Sequence, residues 1–228
     1  MTTLTADTHV ADLVLEQPGR ARVFERYGID YCCGGRTPLT DACAELGLEA
    51  DDVIAALEAS PPVPKEVDWT ARPLAELTAH IVETHHGYLR EELPLLRALV
   101  GKVARAHGDR HPELADVHAT FTAVADELAE HLVTEERDVF PACVALEAGS
   151  SDGIAEPIGR MVHEHEVVAA GLARLRELTN AHEPPSDACN SYRSLLDRLR
   201  TLETDTHQHV QKENNILFPR AEALAETR

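Results

Sequence analysis

The segment HLVTEERDVFP at residues 131–141 returns as HVQKENNILFP at residues 209–219. Both copies read His-x3-Glu-x4-Phe-Pro, and each falls in a long stretch whose apolar residues recur every three to four positions. Residues four apart lie on one face of a helix, so each copy sets a His and a Glu on the same stripe as its leucines and valines. A chain built this way has to bury two carboxylates in an apolar interior, which is expensive for an unpaired charge. A helical bundle that gathers both acids around bound cations removes that cost.

Four periodic segments follow residue 70, at about 73–107, 112–146, 154–181 and 186–224. Their core faces are expected to carry Ala79, Val82, His86, Leu89 and Leu93; Phe121, Val124, Leu128, His131 and Glu135; Ile158, Met161, His165, Val168 and Leu172; and Leu199, Leu202, Thr206, His209 and Glu213. Pro73 and Pro112 suit a first helical turn, Ser186 suits an N-cap, and Pro94 should kink the first segment. Short polar connections, HGDRH, EAGSSDG and HEPP, predict an all-α, up-down-up-down four-helix bundle. Aromatic residues are only 4% of the chain, so the core must come from Ala, Leu and Val, which suits helices.

Six polar residues interrupt these stripes: His86, His131, Glu135, His165, His209 and Glu213. His86 precedes His131 by 45 residues and His165 precedes His209 by 44, as a pseudo-two-fold site requires. Two Glu can bridge two metals while two His complete each. His and carboxylate ligation with open positions favours iron over calcium or magnesium, with zinc and manganese also compatible. Glu127 and Asp205, one turn before His131 and His209, are expected either to anchor those imidazoles or to lie on solvated flanks. Glu127 and Glu164, beside the expected ligands, are candidate proton relays. His80, His85, His163 and His207 are expected on flanks or the surface, and His9, His107, His111, His118 and His182 on the surface.

Ser60-Pro61-Pro62-Val63-Pro64 cannot continue a helix. It divides the chain into a small helical domain at 1–60, a Pro-rich linker at 61–70 and the bundle at 71–228. Short helices are expected at 10–15, 19–27 with Gly28 as the stop, 41–46 capped by Thr40 and stopped by Gly47, and 49–59. Sixty residues bury little surface, so this domain is expected to lean on a partner surface. Cys32-Cys33-Gly34-Gly35 is expected to form an exposed, flexible turn. Its thiols could bind iron, react with nitric oxide or pass on a metal; the alternative is two packed small side chains. Cys43, Cys143 and Cys189 are expected to be buried spectators.

Lys plus Arg is 21 and Asp plus Glu is 40, a formal charge of −19. That balance argues against a nucleic-acid binder, which needs a basic face for phosphates, and fits poorly with an anionic membrane. The longest apolar run, 167–173, is too short to span a bilayer. The first residues lack a basic stretch followed by an apolar one, and five cysteines suit a reducing compartment. The expected location is the cytoplasm.

The His/Glu pattern resembles the hemerythrin-like domain, a four-helix bundle holding a non-haem di-iron centre. Oxygen-carrying hemerythrins have a fifth His, four residues after the His of the third helix, and here that position is Ala169. The departure weighs against reversible oxygen carriage. Residues 24–35, FERYGIDYCCGG, resemble the signature of the ScdA-type N-terminal domain. The two together are the architecture of the YtfE/ScdA-type iron–sulfur cluster repair di-iron (RIC) proteins, which ENNILFP at 213–219 and Pro157, Ile158 and Met161 before His165 also resemble. The resemblance implies a bacterial cytoplasmic protein that restores clusters damaged by nitrosative or oxidative stress. It implies two iron ions, oxo- and carboxylate-bridged, on the same six residues. It also implies damaged iron–sulfur proteins as clients and nitric oxide or oxygen as small ligands, in a monomer or homodimer. The alternatives are a nitric oxide reductase forming nitrous oxide and a hemerythrin-like oxygen or redox sensor.

Overall fold

The computed structural model describes residues 4–61, 67–150 and 153–227. Regular structure among them is helical, apart from one isolated bridge between His9 and Pro38. The first unit contains α1 (Val10–Glu16), a 3-10 turn (Pro18–Arg20), α2 (Ala21–Tyr27), α3 (Leu39–Glu45) and α4 (Ala50–Ala59). Helix α2 stops at Gly28, whose φ of 72° is left-handed and suits a residue without Cβ. Helix α3 starts two residues before expectation. Pro38 holds the cap position with an extended ψ, and its carbonyl accepts from the Asp41 and Ala42 amides. Thr40 therefore lies inside the first turn, and its hydroxyl donates to the Ala6 carbonyl at 2.7 Å.

Leu13, Phe24, Ile29, Tyr31, Leu39 and Val53 form the core of this unit together with Val210. The surface it leans on is the chain's own bundle. Residues 62–66, within the expected linker of 61–70, lie outside the described residues.

Four helical rods make up the rest. The first joins α5 (Leu74–Ile81), a π-helical turn (Val82–His86) and α6 (Gly87–His107). The second joins α7 (Glu113–Thr134), a π turn (Glu135–Val139) and α8 (Phe140–Glu147). The third is α9 (Ala155–Leu178). The fourth joins α10 (Asn190–Lys212), a π turn (Glu213–Leu217) and α11 (Phe218–Glu226). Pro73 and Pro112 occupy N-cap positions. The fourth rod is capped by Cys189 rather than Ser186, because the Ala188 amide donates to the Pro185 carbonyl and closes a turn before the helix begins. Cys189 is therefore exposed, whereas Cys43 and Cys143 are buried as expected. Helix α6 continues through Pro94. The proline is exposed, so the backbone carbonyl it leaves without an amide partner can face water.

Leu74 donates its amide to Glu147 at 2.9 Å, and Arg220 lies 3.6 Å from the same carboxylate. At the opposite end His107 meets Cys189, and His111 lies 3.0 Å from Asp187. Two apolar clusters fill the interior. One contains Leu89, Leu128, Val168 and Leu202, and the other contains Ile81, Val139, Met161 and Ile216. On every rod the expected ligands fall between the two. Among the described residues no helix is long and apolar enough to cross a membrane.

Candidate metal centre

Three of the six expected site residues belong to π turns: His86 ends one, and Glu135 and Glu213 begin the others. In the second and fourth rods the turn is closed by i→i−5 bonds, Phe140 N–H to Glu135 O and Phe218 N–H to Glu213 O. The extra residue shifts the helical register. The expected stripe of the first rod placed Ala79 and Val82 inside. Instead Ala79 is exposed and Val82 half-buried, while Leu74, Leu77 and Ile81 are buried. Beyond their π turns the second and fourth rods bury Phe140, Cys143, Phe218 and Ala221. The signal for this was Phe-Pro in both repeats: Pro141 and Pro219 lack the N–H that an α-helical ladder needs. A widened turn ahead of each proline accommodates the loss, and π turns concentrate at functional sites.

All six side chains come together and are buried, each at most 2% exposed. His86 and His209 form one pair, with Nε2 atoms 3.2 Å apart, and His131 and His165 the other, 3.0 Å apart. The pairs cross between the first and fourth rods and between the second and third. Each carboxylate offers one oxygen to each pair. Glu135 Oε2 lies 3.3 Å from His86 and Oε1 3.0 Å from His131. Glu213 Oε1 lies 2.9 Å from His209 and Oε2 3.1 Å from His165. The result is two neighbouring sets, His86/Glu135/His209/Glu213 and His131/Glu135/His165/Glu213, sharing both acids.

The electrostatics of the six are those of groups waiting for a cation. Both oxygens of Glu135 and Oε2 of Glu213 are buried without a hydrogen-bond partner. Ring nitrogens lie 3.0–3.3 Å from these three oxygens, and Glu213 Oε1 pairs with His209 Nε2 at 2.9 Å. Burial alone would raise the Glu213 carboxyl, yet His209 and His165 hold it well below the usual carboxylate range. Burial would lower His131, but Glu135 and then Glu213 and Glu164 outweigh it and push it to about 10. Four Nε2 atoms converging on two shared carboxylates, three of whose four oxygens lack hydrogen-bond partners, fit a cation in either set.

The outer ring nitrogens are held unequally. His86 Nδ1 lies 2.6 Å from Glu136, which Arg90 also contacts. His131 Nδ1 lies 2.8 Å from Glu164, and His165 Nδ1 2.9 Å from Asn214. His209 Nδ1 has no partner, and the ring stacks on His85 at 5.5 Å. Glu127 is half-buried, and no hydrogen bond or ion pair joins it to the six. Asp205 pairs with His85 at 2.9 Å rather than with His209. Sequence reasoning missed Glu136 and Asn214, although each directly follows the Glu of a repeat.

Other expectations need correction. His85 is buried between Asp205 and Lys212, not on a flank. His107 and His182 are buried, each sealed by local partners, Cys189 for the first and Glu203 with Thr179 for the second. Cys32 is buried and Cys33 partly so, because Asp30 folds the turn inward. Its Oδ1 accepts from both cysteine amides at 2.9 Å, and its Oδ2 accepts from Gly34. The two thiols are free, with sulfurs 4.0 Å apart.

Comparison with known proteins agrees with this geometry. Residues 77–221 match the hemerythrin HHE cation binding domain, and residues 6–60 match ScdA_N, a domain of unknown function. The iron-sulfur cluster repair protein YtfE of Pectobacterium atrosepticum is 35% identical over 94% of this chain and 96% of its own length. This chain belongs to the YtfE family of iron–sulfur cluster repair proteins. YtfE of Musicola paradisiaca is 35% identical over 93% of this chain and 95% of its own, and that of Escherichia coli O81 is 34% identical over 94% and 96%. Membership in a cation-binding family accords with the buried His/Glu sets, either of which could hold a metal ion.

Proposed function

We propose that this chain is a di-iron protein that restores damaged iron–sulfur clusters, holding two iron ions on His86, His131, Glu135, His165, His209 and Glu213. The observation that carries the reading is the pair of fully buried acids, each turning one oxygen to each histidine pair, with both oxygens of Glu135 and Oε2 of Glu213 lacking hydrogen-bond partners. Bound there, iron would supply redox chemistry and affinity for small diatomic ligands. The chain's own residues orient the imidazoles through Glu136, Glu164 and Asn214, and the two apolar clusters keep bulk water away. The YtfE relatives are named for cluster repair, which supports damaged iron–sulfur proteins as clients. We infer an up-down-up-down order for the rods, a division into residues 1–60, 61–70 and 71–228, and a cytoplasmic location.

Glu164 is the better placed of the two acids offered as proton relays, being in contact with His131 while keeping about a quarter of its side chain open to solvent. Coupling of two nitric oxide molecules, with two electrons and two protons, to nitrous oxide and water is a second reading, in which two iron(II) ions would supply the electrons and become iron(III). It is favoured by the sharing of Glu135 and Glu213 between adjacent sets, which would seat two ligands side by side. Anaerobic incubation with a nitric oxide-damaged dehydratase distinguishes the two. Repair predicts recovery of dehydratase activity with loss of iron from this protein, and reductive coupling predicts nitrous oxide with iron retained. Cys32→Ala with Cys33→Ala is expected to keep two irons and to slow recovery. Iron below one per chain in the intact protein would end the di-iron reading.

A further inference from the structure

The chain carries 40 acids against 21 bases, so a recess free of acids is unexpected in it. One opens between the first unit and the fourth rod, with a volume of about 230 Å³. Among the described residues that line it there is no Asp or Glu, and the charged ones are Arg22 and Lys212. Its walls are apolar, with Val14 and Ala21 on one side, Ile216 on the other and Trp69 between them in the chain segment that enters the bundle. The Trp69 ring is held in place by stacking on His80 at 4.3 Å, and its carbonyl accepts from Arg220.

The polar groups at this cleft are donors. Gln211 is 5% exposed. Its Oε1 accepts from Asn215 at 2.7 Å, and its Nε2 is buried without an acceptor. An orphaned buried donor costs free energy that an arriving acceptor restores. Lys212 Nζ lies 2.9 Å from His85 Nε2 and donates to the Gln208 carbonyl at 3.2 Å. An ammonium group has three N–H donors, so one is left over. Arg22 is exposed and adds a second positive charge at the rim. Tyr31 also lines the cleft, but its hydroxyl is already given to Glu25.

We propose that this cleft binds a small monocarboxylate with an apolar body, at a site that does not depend on the iron reading. The carboxylate takes the spare donor of Lys212 and relieves the orphaned amide of Gln211, while the body lies against Val14, Trp69 and Ile216. A cavity of about 150 Å³ holds one benzene ring, so this one holds a ring with a short acid chain. Inorganic phosphate has no apolar part to cover the walls, and its second charge adds to the cost of leaving water. The lining comes from the first unit, the segment at Trp69 and the fourth rod together. An occupant therefore binds the seated arrangement of the three and raises the melting temperature by mass action.

Phenylacetate is the first probe and octanoate the second. Each is titrated into the full chain by calorimetry and followed by the fluorescence of Trp69, the single tryptophan, with iron counted in every sample. Saturation at one acid per chain is expected, with a shift of the Trp69 emission and a higher melting temperature. Phenylacetamide has the same body without the charge and should bind at least about tenfold more weakly, the low end for a hydrogen bond to a charged group. Lys212→Met should weaken phenylacetate by a similar factor. Arg22→Glu, at an exposed position where the fold should stand, should weaken it about two- to fivefold. Equal binding of phenylacetate and phenylacetamide overturns the proposal, and so does full affinity in both variants. Failure of both acids to saturate below about 10 mM overturns it as well. Heat of binding with no response from Trp69 places the acid elsewhere. Binding that disappears with the iron but survives Lys212→Met places it on the metal, and either result removes the cleft as the site.

Discussion

Glu203 is buried on the fourth rod and receives His182 at 3.1 Å and Arg176 at 3.2 Å. Arg176 also donates to the Glu25 carbonyl, so this acid braces the attachment of the first unit. Burial raises the Glu203 carboxyl, but His182 and then His207 and Arg176 outweigh it and lower it below its ordinary value. A depressed folded value means stability present above the unfolded value, about 4.3, and lost as pH falls through the folded one. Glu203→Gln should therefore melt below the parent at pH 7, with the gap closing under pH 4, as followed by circular dichroism. At the metal centre, Glu135→Ala or Glu213→Ala should lower iron to one per chain or fewer, because each acid serves both histidine pairs. His163 is exposed and lies 3.5 Å from Glu166, and His163→Ala should leave iron content unchanged by metal analysis. All six central residues were legible in the sequence because four-residue spacing survives locally, even where the longer register does not.

The π turns decide what each rod does on either side of the centre. A plain 3.6-residue period predicts the faces of α7, α9 and α10 well, since no π turn interrupts the stripe within any of them. It fails for α5, which a π turn separates from the rest of the first rod's stripe in α6. Absorbing the surplus residue into a plain α-helix would turn α8 by about 100° and take Cys143 and Leu146 out of the core. Deleting Arg137 removes that residue and keeps the face, so the melting temperature of the deletion should stay near that of Arg137→Ala, whereas inserting one alanine beside Arg137 should lower the melting temperature well below both. Helices α7 and α9 meet closely at Gly171, where a Cβ would lie 2.3 Å from Val124 Cγ2. Alanine gains about 1 kcal/mol of helix propensity over glycine. Overpacking against a stiff β-branched neighbour costs about 1–3 kcal/mol. Gly171→Ala should on balance be destabilising in urea denaturation, and adding Val124→Ala should recover much of the loss.

For the whole molecule, all six central residues lie in the rods, and so do Glu136, Glu164 and Asn214, which hold three of the imidazoles. Residues 67–228 alone should therefore fold and bind two irons. Removing the first unit uncovers Val210, now 4% exposed, and releases the bonds of Asn214 and Asn215 to the Cys32 carbonyl. The shortened chain should bind a hydrophobic dye more strongly than the intact one while keeping its iron content. Failure to fold would mean that the first unit is part of the bundle's core rather than a layer upon it.

Sequence alone determined the helical class and the four periodic stretches, and it singled out the six polar residues that the fold gathers in one place. Those features follow from local periodicity and from a repeat whose polar positions only a shared charge can explain. It also contained the Phe-Pro pairs, but a proline says that one hydrogen bond is missing, not which way the helix will absorb the loss. Tertiary structure decided the pairing of histidines across the rods, the inward fold of the cysteine turn under Asp30, and the burial of His85, His107 and His182. It also decided that Glu164 rather than Glu127 would hold His131. Each of these depends on which groups from distant parts of the chain arrive at one place. A buried polar group takes whatever partner the packing delivers within reach, and no spacing along a single helix records that.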